Sequence, residues 1–561
     1  MIQYYRKKGT PGRYGSLRRR CRIHRWLLLT AVFFSISMVS SGVNGQTQPA
    51  DPWSVRVRQA EQEPSFRIQS FIIEGNTILT EKKIHDLLKR YVGPGKTASD
   101  VEQARNELEK TYHDSGYPAV LVNIPEQTVT EGTIRLQVIE SKIGSVRVTG
   151  NKWYTREKIL RDLPSLAPGK ILYAPMVQKD LERASRSQDI KLAPILSPGK
   201  ELGLTDVEIK VEDLLPLHGS IELNNLSTHD TSDQRLSAML RYDNLWQRDH
   251  SISIQYQISP QKTEEVELYG LSYTLPAPWN SNHYLAFYGV KSDSNTTITG
   301  TGYRVSGKGT ILGTRYVIML PSYDVYAHNV TAGFDYKDFK ETVGADTAAG
   351  TETPITYAPL SVSYNSSLPD TWGMTRFSGG LNVAFRGLVT DQEKFEVKRS
   401  GARGNYMYLT AGIERNQKLP AGMGLFLKLD GQIADQPLIS NEQYSGGGMM
   451  NVRGYREAEA LGDDAFHGTA EISAPDLGSL MGWGKHFMMT PFVFYDYAWL
   501  HTKRALDLQD DVIRLRGTGA GIRGTVQSYF YYELILGFPL ADTDKTDKYH
   551  ERWHFKVGVQ F

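Results

Sequence analysis

From Leu217 to Phe561 the sequence alternates between apolar and polar residues in short segments that are separated by turns. The segment His250–Ile258 reads HSISIQYQI, with isoleucine or tyrosine at every second position and serine or glutamine between them. The segment 425–430 (LFLKLD) repeats leucine with the same period. A period of two predicts β-strands that have one apolar and one polar face. About sixteen such segments can be counted, an even number, as bacterial membrane barrels have.

Strands of this kind fit either a soluble β-sandwich or a membrane barrel. Two features favour the barrel. The alternating residues 553–561 end the chain on Phe561, an apolar residue that a sandwich would expose to water. Aromatic residues also gather at strand ends, where a membrane barrel places its interfacial girdle; they include Trp246, Tyr273, Trp279, Tyr497 and Trp499. We therefore predict a transmembrane β-barrel of about sixteen antiparallel strands over 217–561, too wide for its own side chains to fill and hence a pore or a plugged pore.

An internal repeat precedes the predicted barrel. The segments 74–84 (EGNTILTEKKI) and 149–159 (TGNKWYTREKI) share five identical residues at a fixed offset of 75 positions. Each copy follows an alternating strand, its Gly-Asn pair predicts a turn, and the next threonine is suited to cap a helix. The sequence therefore predicts two tandem β-α-α-β-β units, at 66–141 and 142–216.

The N-terminus predicts a signal peptide. The first 25 residues contain nine Lys or Arg and no acidic residue, and the apolar stretch 26–39 that follows is short for a membrane span. We expect cleavage near Gly45, so that 1–45 is removed. Cys21, the one cysteine of the sequence, lies ahead of the apolar stretch, and the exported chain would then have no disulfide framework. Residues 46–65 offer room for a short plug helix at 53–62.

A glycine-rich loop, Pro437–His467, separates the eleventh and twelfth predicted strands and contains SGGGMMNVRGY at 445–455. Long loops without strand pattern are usually functional or disordered, and glycines let a backbone lie close to a barrel wall. Arg453 offers a planar guanidinium suited to a carboxylate. Asp496, which shares a face of its predicted strand with Phe494, supplies one. We expect an Arg453–Asp496 pair to hold the loop inside the channel; the alternative is a surface arginine in water.

This loop resembles the VRGY signature of the two-partner secretion transporters, the hemolysin secretion/activation family. The residues that carry the resemblance are Val452, Arg453, Gly454 and Tyr455. In that family the signature lies on an extracellular loop folded back into the pore, and a partner F-x-D-x-G motif lies on a neighbouring strand. Phe494 and Asp496 match the partner motif, whereas Ala498 stands at its last glycine.

Two further resemblances agree with this one. The tandem units are similar to the POTRA domains of outer-membrane polypeptide transporters. The last strand, which ends in Phe561, resembles the signal by which outer-membrane barrels are recognised for insertion. Together they imply a Gram-negative outer-membrane protein whose POTRA domains lie in the periplasm.

The resemblance implies a transporter that secretes a partner polypeptide to the cell surface by two-partner (type V) secretion. The partner class would be a large hemolysin, adhesin or contact-dependent toxin. POTRA domains would bind it, most simply by adding its extended chain to an exposed strand edge. Further expected partners are outer-membrane lipids and, during biogenesis, the barrel assembly machinery. Since 64 Lys and Arg are balanced by 62 Asp and Glu, we expect no nucleic-acid partner.

Two other functions fit parts of the sequence. A barrel assembly factor shares POTRA domains and VRGY, but it usually has more than two such domains, and a passive porin needs neither feature. We expect no enzymatic activity, cofactor, metal or ATP requirement. The segment 517–524 (GTGAGIRG) fits a dinucleotide fingerprint without its strand and helix context, so we interpret these glycines as contact points of the loop. Asp463 and Asp464 lack the oxygen set for calcium, and we expect them in a solvated loop.

Overall fold

The computed structural model describes residues 64–561 apart from 130, 294–295, 298–303, 306–307, 324, 344–350, 386, 388–391 and 508. The predicted signal peptide and the predicted plug helix at 53–62 lie outside the described residues. No helix within the described ranges combines the length and the apolar character that a membrane crossing requires.

The first α/β unit has a three-stranded sheet, a separate two-stranded pair and two helices. Its five strands are β1 (Phe66–Ile68), β2 (Ser70–Glu74), β3 (Gly93–Lys96), β4 (Val120–Asn123) and β5 (Thr133–Glu140). Its helices are α1 (Glu81–Leu88) and α2 (Ala98–Asp114), and a 3-10 turn spans Lys89–Tyr91. The sheet order is β2-β5-β4, with β2 and β5 parallel, while β1 and β3 form a separate pair. Fully buried Leu108 and Tyr112 of α2 pack against Ile134 and Leu136 of β5.

A capping box begins α2. The side chain of Asp100 accepts a hydrogen bond from the backbone N–H of Thr97, and the pair closes the first turn. This backbone hydrogen bond lowers the pKa of the Asp100 carboxyl below its ordinary value.

The second unit repeats the same plan. Its strands are β6 (Lys142–Thr149), β7 (Ile190–Pro198) and β8 (Leu204–Asp213), its helices are α3 (Arg156–Asp162) and α4 (Ala174–Ala184), and a 3-10 turn spans Pro164–Leu166. The sheet order is β6-β8-β7, with β6 and β8 parallel. The sequence repeat corresponds to the same local structure in both units. Thr80 and Thr155 each cap a helix, and Gly75 and Gly150 have positive φ of 83° and 87°.

The remaining chain forms a closed antiparallel barrel. Its strands are β9 (Leu217–Asn224), β10 (Arg235–Leu245), β11 (His250–Ile258), β12 (Glu267–Ala277), β13 (Asn280–Ser292), β16 (Gly309–Met319), β17 (Ala327–Val343), β18 (Thr351–Tyr357), β19 (Pro359–Asp370), β20 (Gly373–Ala384), β21 (Met407–Lys418), β22 (Gly424–Ala434), β25 (Asp464–Ser473), β26 (Phe487–His501), β27 (Val512–Val526), β28 (Phe530–Pro539) and β29 (Arg552–Gln560). Because β18 and β19 pair in succession with β17, they form one barrel strand interrupted at Ala358. The predicted sixteen-strand barrel is confirmed.

Smaller elements lie in the loops. They are β14 (Thr296–Thr297), β15 (Arg304–Val305), β23 (Tyr444–Gly446), β24 (Ala460–Gly462), α5 (Gln392–Lys398), α6 (Leu477–Leu480) and the 3-10 turns Pro420–Gly422 and Gly484–His486. Of these, β23, β24 and α5 bear on the functional site.

The period of two sorts the side chains between lipid and lumen. On β11, Ile254 is 56% exposed on the outer surface, whereas Gln255 and Gln257 are buried inside. The outer wall is therefore apolar and the inner wall polar, as a membrane barrel with an aqueous lumen requires.

Phe561 lies at the seam where the barrel closes. Its backbone exchanges two hydrogen bonds with Gly219 of β9, with N···O distances of 3.2 and 3.0 Å. The ring remains 71% exposed on the outer surface. The C-terminal carboxylate end of the chain thus continues the pairing of β29 with β9.

The second α/β unit is fixed to the turn between β10 and β11. The Gln247 side chain accepts a hydrogen bond from the Thr155 backbone N–H and donates one to the Trp153 carbonyl, both at 3.0 Å. Lys158, which is buried, pairs with Asp249 at 2.8 Å. These contacts hold the unit against one end of the barrel, which identifies that end as the side of the N-terminal units.

One predicted boundary is wrong. The loop was expected to end at His467, but β25 begins at Asp464. The physical reason is the alternation within this segment: Ala465 and His467 are buried on the inner side, while Phe466 is exposed on the outer side. The loop between β22 and β25 therefore spans 435–463, and it is called the pore loop below.

The repeat glycines allow a matched test of the second unit. A Cβ at Gly150 would lie 2.4 Å from the carbonyl oxygen of Val211, whereas Gly169, with a similar φ of 85°, has open space around it. We expect Gly150→Ala to lower the stability of the unit by about 1–3 kcal/mol more than Gly169→Ala, because only Gly150→Ala adds a backbone clash to the strain of positive φ. Urea-dependent protease cleavage of the N-terminal units in the full-length protein measures this difference. Equal sensitivity of the two variants would show that the repeat turn is not packed as described.

Candidate functional site

The pore loop folds into the barrel lumen and lies against the inner wall of β25–β29. Most of its residues are buried, and β23 and β24 form a short antiparallel pair within it. The tip of the loop carries the four residues of the VRGY signature.

Arg453 forms a bidentate ion pair with Asp496 of β26. The Arg453 Nε lies 2.7 Å from Asp496 Oδ2, and Nη2 lies 2.8 Å from Oδ1. The backbone N–H of Arg453 also donates to Asp496 Oδ2 at 3.0 Å. The Arg453 side chain is 7% exposed and that of Asp496 is fully buried. Paired charge-assisted hydrogen bonds of this geometry are strong and directional, so they fix both the position and the orientation of the loop tip.

A second carboxylate completes the arginine site. Glu471 of β25 accepts a hydrogen bond from Arg453 Nη1 at 2.7 Å and is itself 5% exposed. The third nitrogen of the guanidinium is therefore occupied as well. Buried charges need such complete pairing, because an unpaired one costs several kcal/mol.

Phe494 lies beneath the arginine. The Arg453 Cζ is 3.6 Å from the centroid of the Phe494 ring, a close cation–π contact. Phe494 and Asp496 both point inward from β26, as the sequence analysis expected, and the structure brings them together with Arg453.

Glycines on both sides allow the loop backbone to touch the wall. Gly454 has a φ of 102°, and its N–H donates to His554 Nε2 at 3.0 Å. A Cβ at Gly517 of β27 would lie 2.0 Å from the Arg453 carbonyl oxygen, and one at Gly537 of β28 would lie 2.6 Å from the Gly454 nitrogen. The glycines of segment 517–524 thus belong to barrel strands, and Gly517 is a direct contact of the loop.

Val452 and Tyr455 flank the arginine and are both fully buried. They pack with Ala498, Leu500 and Leu515 of the barrel wall. The Tyr455 hydroxyl donates to the Ala541 carbonyl at 2.7 Å, beyond the end of β28. Ala498, which stands where the resembled motif has glycine, is fully buried in this cluster, so its methyl group contributes to the packing of the loop.

The stem of the loop is held by a second arginine–carboxylate pair, which no sequence pattern predicted. Arg399, just after α5, binds Asp463 through two hydrogen bonds of 2.6 and 2.7 Å. Asp463 is fully buried, and it also accepts from the Leu438 and Lys503 backbone N–H groups. Asp464 pairs with Lys503 and His501. The expectation of solvated carboxylates at this position is wrong, because neighbouring loops fold over them.

A third anchor lies nearer to the start of the loop. The Glu442 carboxylate, 5% exposed, accepts from Lys337 Nζ and the Tyr357 hydroxyl at 2.6 Å each, and from the Tyr408 hydroxyl at 2.9 Å. No local pattern pointed to this contact, because its members come from strands far apart in the sequence. Of the missed residues, Glu471 had the clearest signal, since it shares the inward face of β25 with His467 and Thr469.

Beneath the loop tip lies an open part of the lumen. A cavity of about 1050 Å³ opens beside Arg453 and Glu471. Charged side chains of both signs line it; besides Arg453 and Glu471 they are Asp370, Arg376, Glu414, Lys418, Lys428, Asp476, Arg523, Glu533 and Lys556. A lining with charges of both signs can hold water, which a purely apolar pocket does not.

The fold and the site define a class of protein: an outer-membrane barrel that carries α/β units on one side and holds an arginine-bearing loop in its lumen. Comparison with known proteins agrees. Residues 203–524 match the family described as haemolysin secretion/activation protein ShlB/FhaC/HecB, and residues 66–141 match the POTRA domain of ShlB type.

Individual relatives are distant in sequence but cover most of the chain. The heme/hemopexin transporter protein HuxB of Haemophilus influenzae strain 86-028NP is 21% identical over 529 residues, which are 90% of this chain and 88% of that protein. The solved structure of CdiB from Escherichia coli has a TM-score of 0.65 at 17% identity, covering 91% of this chain and 93% of that one. BamA from Haemophilus ducreyi, solved without POTRA domains 1–3, has a TM-score of 0.53 at 13% identity, covering 89% and 100%.

Because the family model covers more than half of the sequence, the chain belongs to the haemolysin secretion/activation family of two-partner secretion transporters. It is an outer-membrane protein that secretes a partner protein across that membrane. The resemblance drawn from the sequence is thereby confirmed.

Gly517 offers a test of the loop position. We expect Gly517→Ala to push the pore loop off the wall, because the new methyl group would meet the Arg453 carbonyl, and we expect the single-channel conductance in planar bilayers to rise. Gly379→Ala is the matched control, since a Cβ there has its nearest contact at 3.9 Å. Unchanged conductance in a folded Gly517→Ala barrel would contradict the close contact between loop and wall.

Proposed function

We propose that the chain carries one unfolded partner polypeptide through the barrel lumen from the periplasm to the cell surface, without ATP, and that the pore loop leaves its site during passage. The supporting observation is the buried contact of Arg453 with Asp496 and Glu471. This contact places the pore loop inside a barrel that would be open without it. Folding of the partner outside the cell would draw the chain through.

The two POTRA units are proposed to capture the partner by strand addition. Their sheets leave edge strands with unpaired backbone groups, the arrangement that accepts an extended peptide. The edge strand β7 contains Pro194 and Pro198, which lack an N–H, so it is a poor acceptor. Two further edge strands are already engaged: the Val122 N–H of β4 donates to Glu109 Oε2 at 2.9 Å, and the Ile143 N–H of β6 donates to the Lys170 carbonyl at 2.8 Å. The edge strand β2 contains no proline, and Ile72 on it is 46% exposed. We therefore favour β2 as the docking edge.

The partner is proposed to be a large exported protein of the hemolysin, adhesin or contact-dependent toxin type. Outer-membrane lipids surround the barrel, and the barrel assembly machinery would insert it. Phe561 supports insertion by this machinery, because its exposed ring lies at the β29–β9 seam and is accessible for recognition before the barrel closes.

An assembly factor for other barrels is the second candidate function, and the fold similarity to BamA is the observation behind it. Only two POTRA-like units are present in the described residues, which favours the transporter. A passive porin would not need the loop contacts. Secretion of a co-expressed partner with and without this protein separates the three. General failure of barrel assembly on deletion would indicate the assembly factor, and a change limited to small-solute permeability would indicate the porin.

The ion pair gives the direct mutational test. We expect Arg453→Ala to reduce secretion by roughly tenfold or more, because it leaves two buried carboxylates unpaired and the loop misplaced. Asp496→Ala should reduce it similarly. The double variant should cost little beyond either single one, since both remove the same contact. Secretion assays of the partner measure this, and heat-modifiable gel mobility checks that the barrels are folded.

Arg376→Ala is the matched control, because it removes an arginine from the same cavity without touching the loop site. If secretion by folded Arg453→Ala equals that of the parent protein, the proposed role of the loop is wrong. Additive losses in the double variant would show that the two residues act separately.

A further inference from the structure

A second arginine lies beside the Arg453 site. Arg523 of β27 pairs with Glu471, and its Cζ lies 4.1 Å from the centroid of the Phe492 ring. The two oxygens of Glu471 are divided: Oε2 binds Arg453 on the loop, and Oε1 binds Arg523 on the wall. One carboxylate is therefore shared between a cation that belongs to the loop and a cation that belongs to the barrel.

Asp496 is held differently. Both of its oxygens are bound by Arg453, and within the described part of the chain Arg453 is its only ion-pair partner. The two carboxylates of the site thus differ in what they lose if the loop leaves. Asp496 loses its counter-ion, whereas Glu471 keeps Arg523.

Arg523 is itself fixed to the wall by further charges. Its Nη1 lies 3.7 Å from Glu533 of β28, and Glu533 pairs with Lys556 of β29 at 3.3 Å. With the loop in place, the site contains three cations and three carboxylates, namely Arg453, Arg523, Lys556, Asp496, Glu471 and Glu533. If the loop leaves, Arg453 leaves with it, and Asp496 is the carboxylate that has no cation.

We propose that Arg523 competes with Arg453 for Glu471 and thereby sets how readily the pore loop leaves its site. The inference rests on the proposed function, in which the loop is displaced during secretion. Arg523 acts as a positioning residue: it weakens the hold of Glu471 on the loop, and it neutralises Glu471 once the loop has gone. Asp496 remains without a counter-ion and attracts Arg453 back.

The size of this effect is limited by water. The Arg523 side chain is 41% exposed to the lumen, and pairs with that exposure are screened and contribute modestly. Arg523 is therefore suited to adjust the equilibrium of the loop and not to replace the Arg453–Asp496 contact.

The test measures how often the site opens. Ala498, fully buried beneath Val452 and Tyr455, is replaced by cysteine in a Cys21→Ser background, so that the reporter thiol is the only one. The reaction rate of the full-length protein in lipid vesicles with an uncharged polar maleimide reports departure of the loop. An uncharged reagent is needed because Arg523 variants change the local charge.

We expect Arg523→Gln to slow labelling by about threefold, because Glu471 then binds Arg453 alone. A change of this size corresponds to the free energy of a partly exposed ion pair. In a Glu471→Gln background, Arg523→Gln should leave the rate unchanged, since there is nothing to compete for. Arg376→Gln, which removes the same charge from the same cavity, is the matched control and should label like the parent.

Faster or unchanged labelling of Arg523→Gln would overturn the proposal, because Arg523 would then support the loop or be indifferent to it. Slowing that persists in the Glu471→Gln background would overturn it too, since competition requires Glu471. Arg453→Ala separates this inference from the proposed function. If Arg453→Ala speeds labelling and Arg523→Gln does not slow it, the competition alone fails. If Arg453→Ala leaves the rate unchanged, the loop site itself is wrong.

Discussion

The position of the pore-loop tip depends on one contact, the guanidinium of Arg453 against the fully buried carboxylate of Asp496. A sixteen-strand barrel is too wide to be filled by its own side chains. Whatever occupies the lumen must therefore be a separate segment, and that segment needs a fixed point on the wall. The bidentate pair supplies it at 2.7 and 2.8 Å, with the Phe494 ring beneath and glycine backbones on either side.

The proposed departure of the loop has to overcome this contact. Breaking a buried pair costs about 3–5 kcal/mol when one partner is removed, but the lumen beside Arg453 is polar and admits water. If the loop departs, water can solvate the charges of Arg453 and Asp496, which pair with each other while they are buried. The stem contacts through Asp463 and Glu442 lie in other parts of the loop, so the tip and the stem are separate anchors. In the proposed passage, a polypeptide would therefore have to displace more than one of them.

Much of the fold could be predicted from the sequence, because a period of two fixes both the strands and the faces they present. The 75-residue repeat likewise predicted the two α/β units, since a turn glycine and a capping threonine act locally. The Arg453–Asp496 contact could be expected from the loop composition and a motif resemblance. Arg399 and Glu442 could not, because their partners come from segments far apart in the sequence. Glu471 could be placed on the inward face of its strand but not opposite Arg453. Inward polar residues on different strands look alike in the sequence, and only the register shows which of them face each other.

A covalent bridge between the pore loop and the barrel wall tests most directly whether the loop has to move for secretion. Met449 of the loop and Ile535 of β28 pack in one buried cluster, so cysteines at these two positions can be joined by a short bis-methanethiosulfonate, which forms one disulfide bond with each cysteine, releases methanesulfinate and is cleaved by reduction. The amount of partner secreted is then measured before and after reduction. We expect secretion to stop while the bridge is intact and to resume once it is reduced. Secretion that continues through a fully bridged pore would show that the loop does not have to leave the wall.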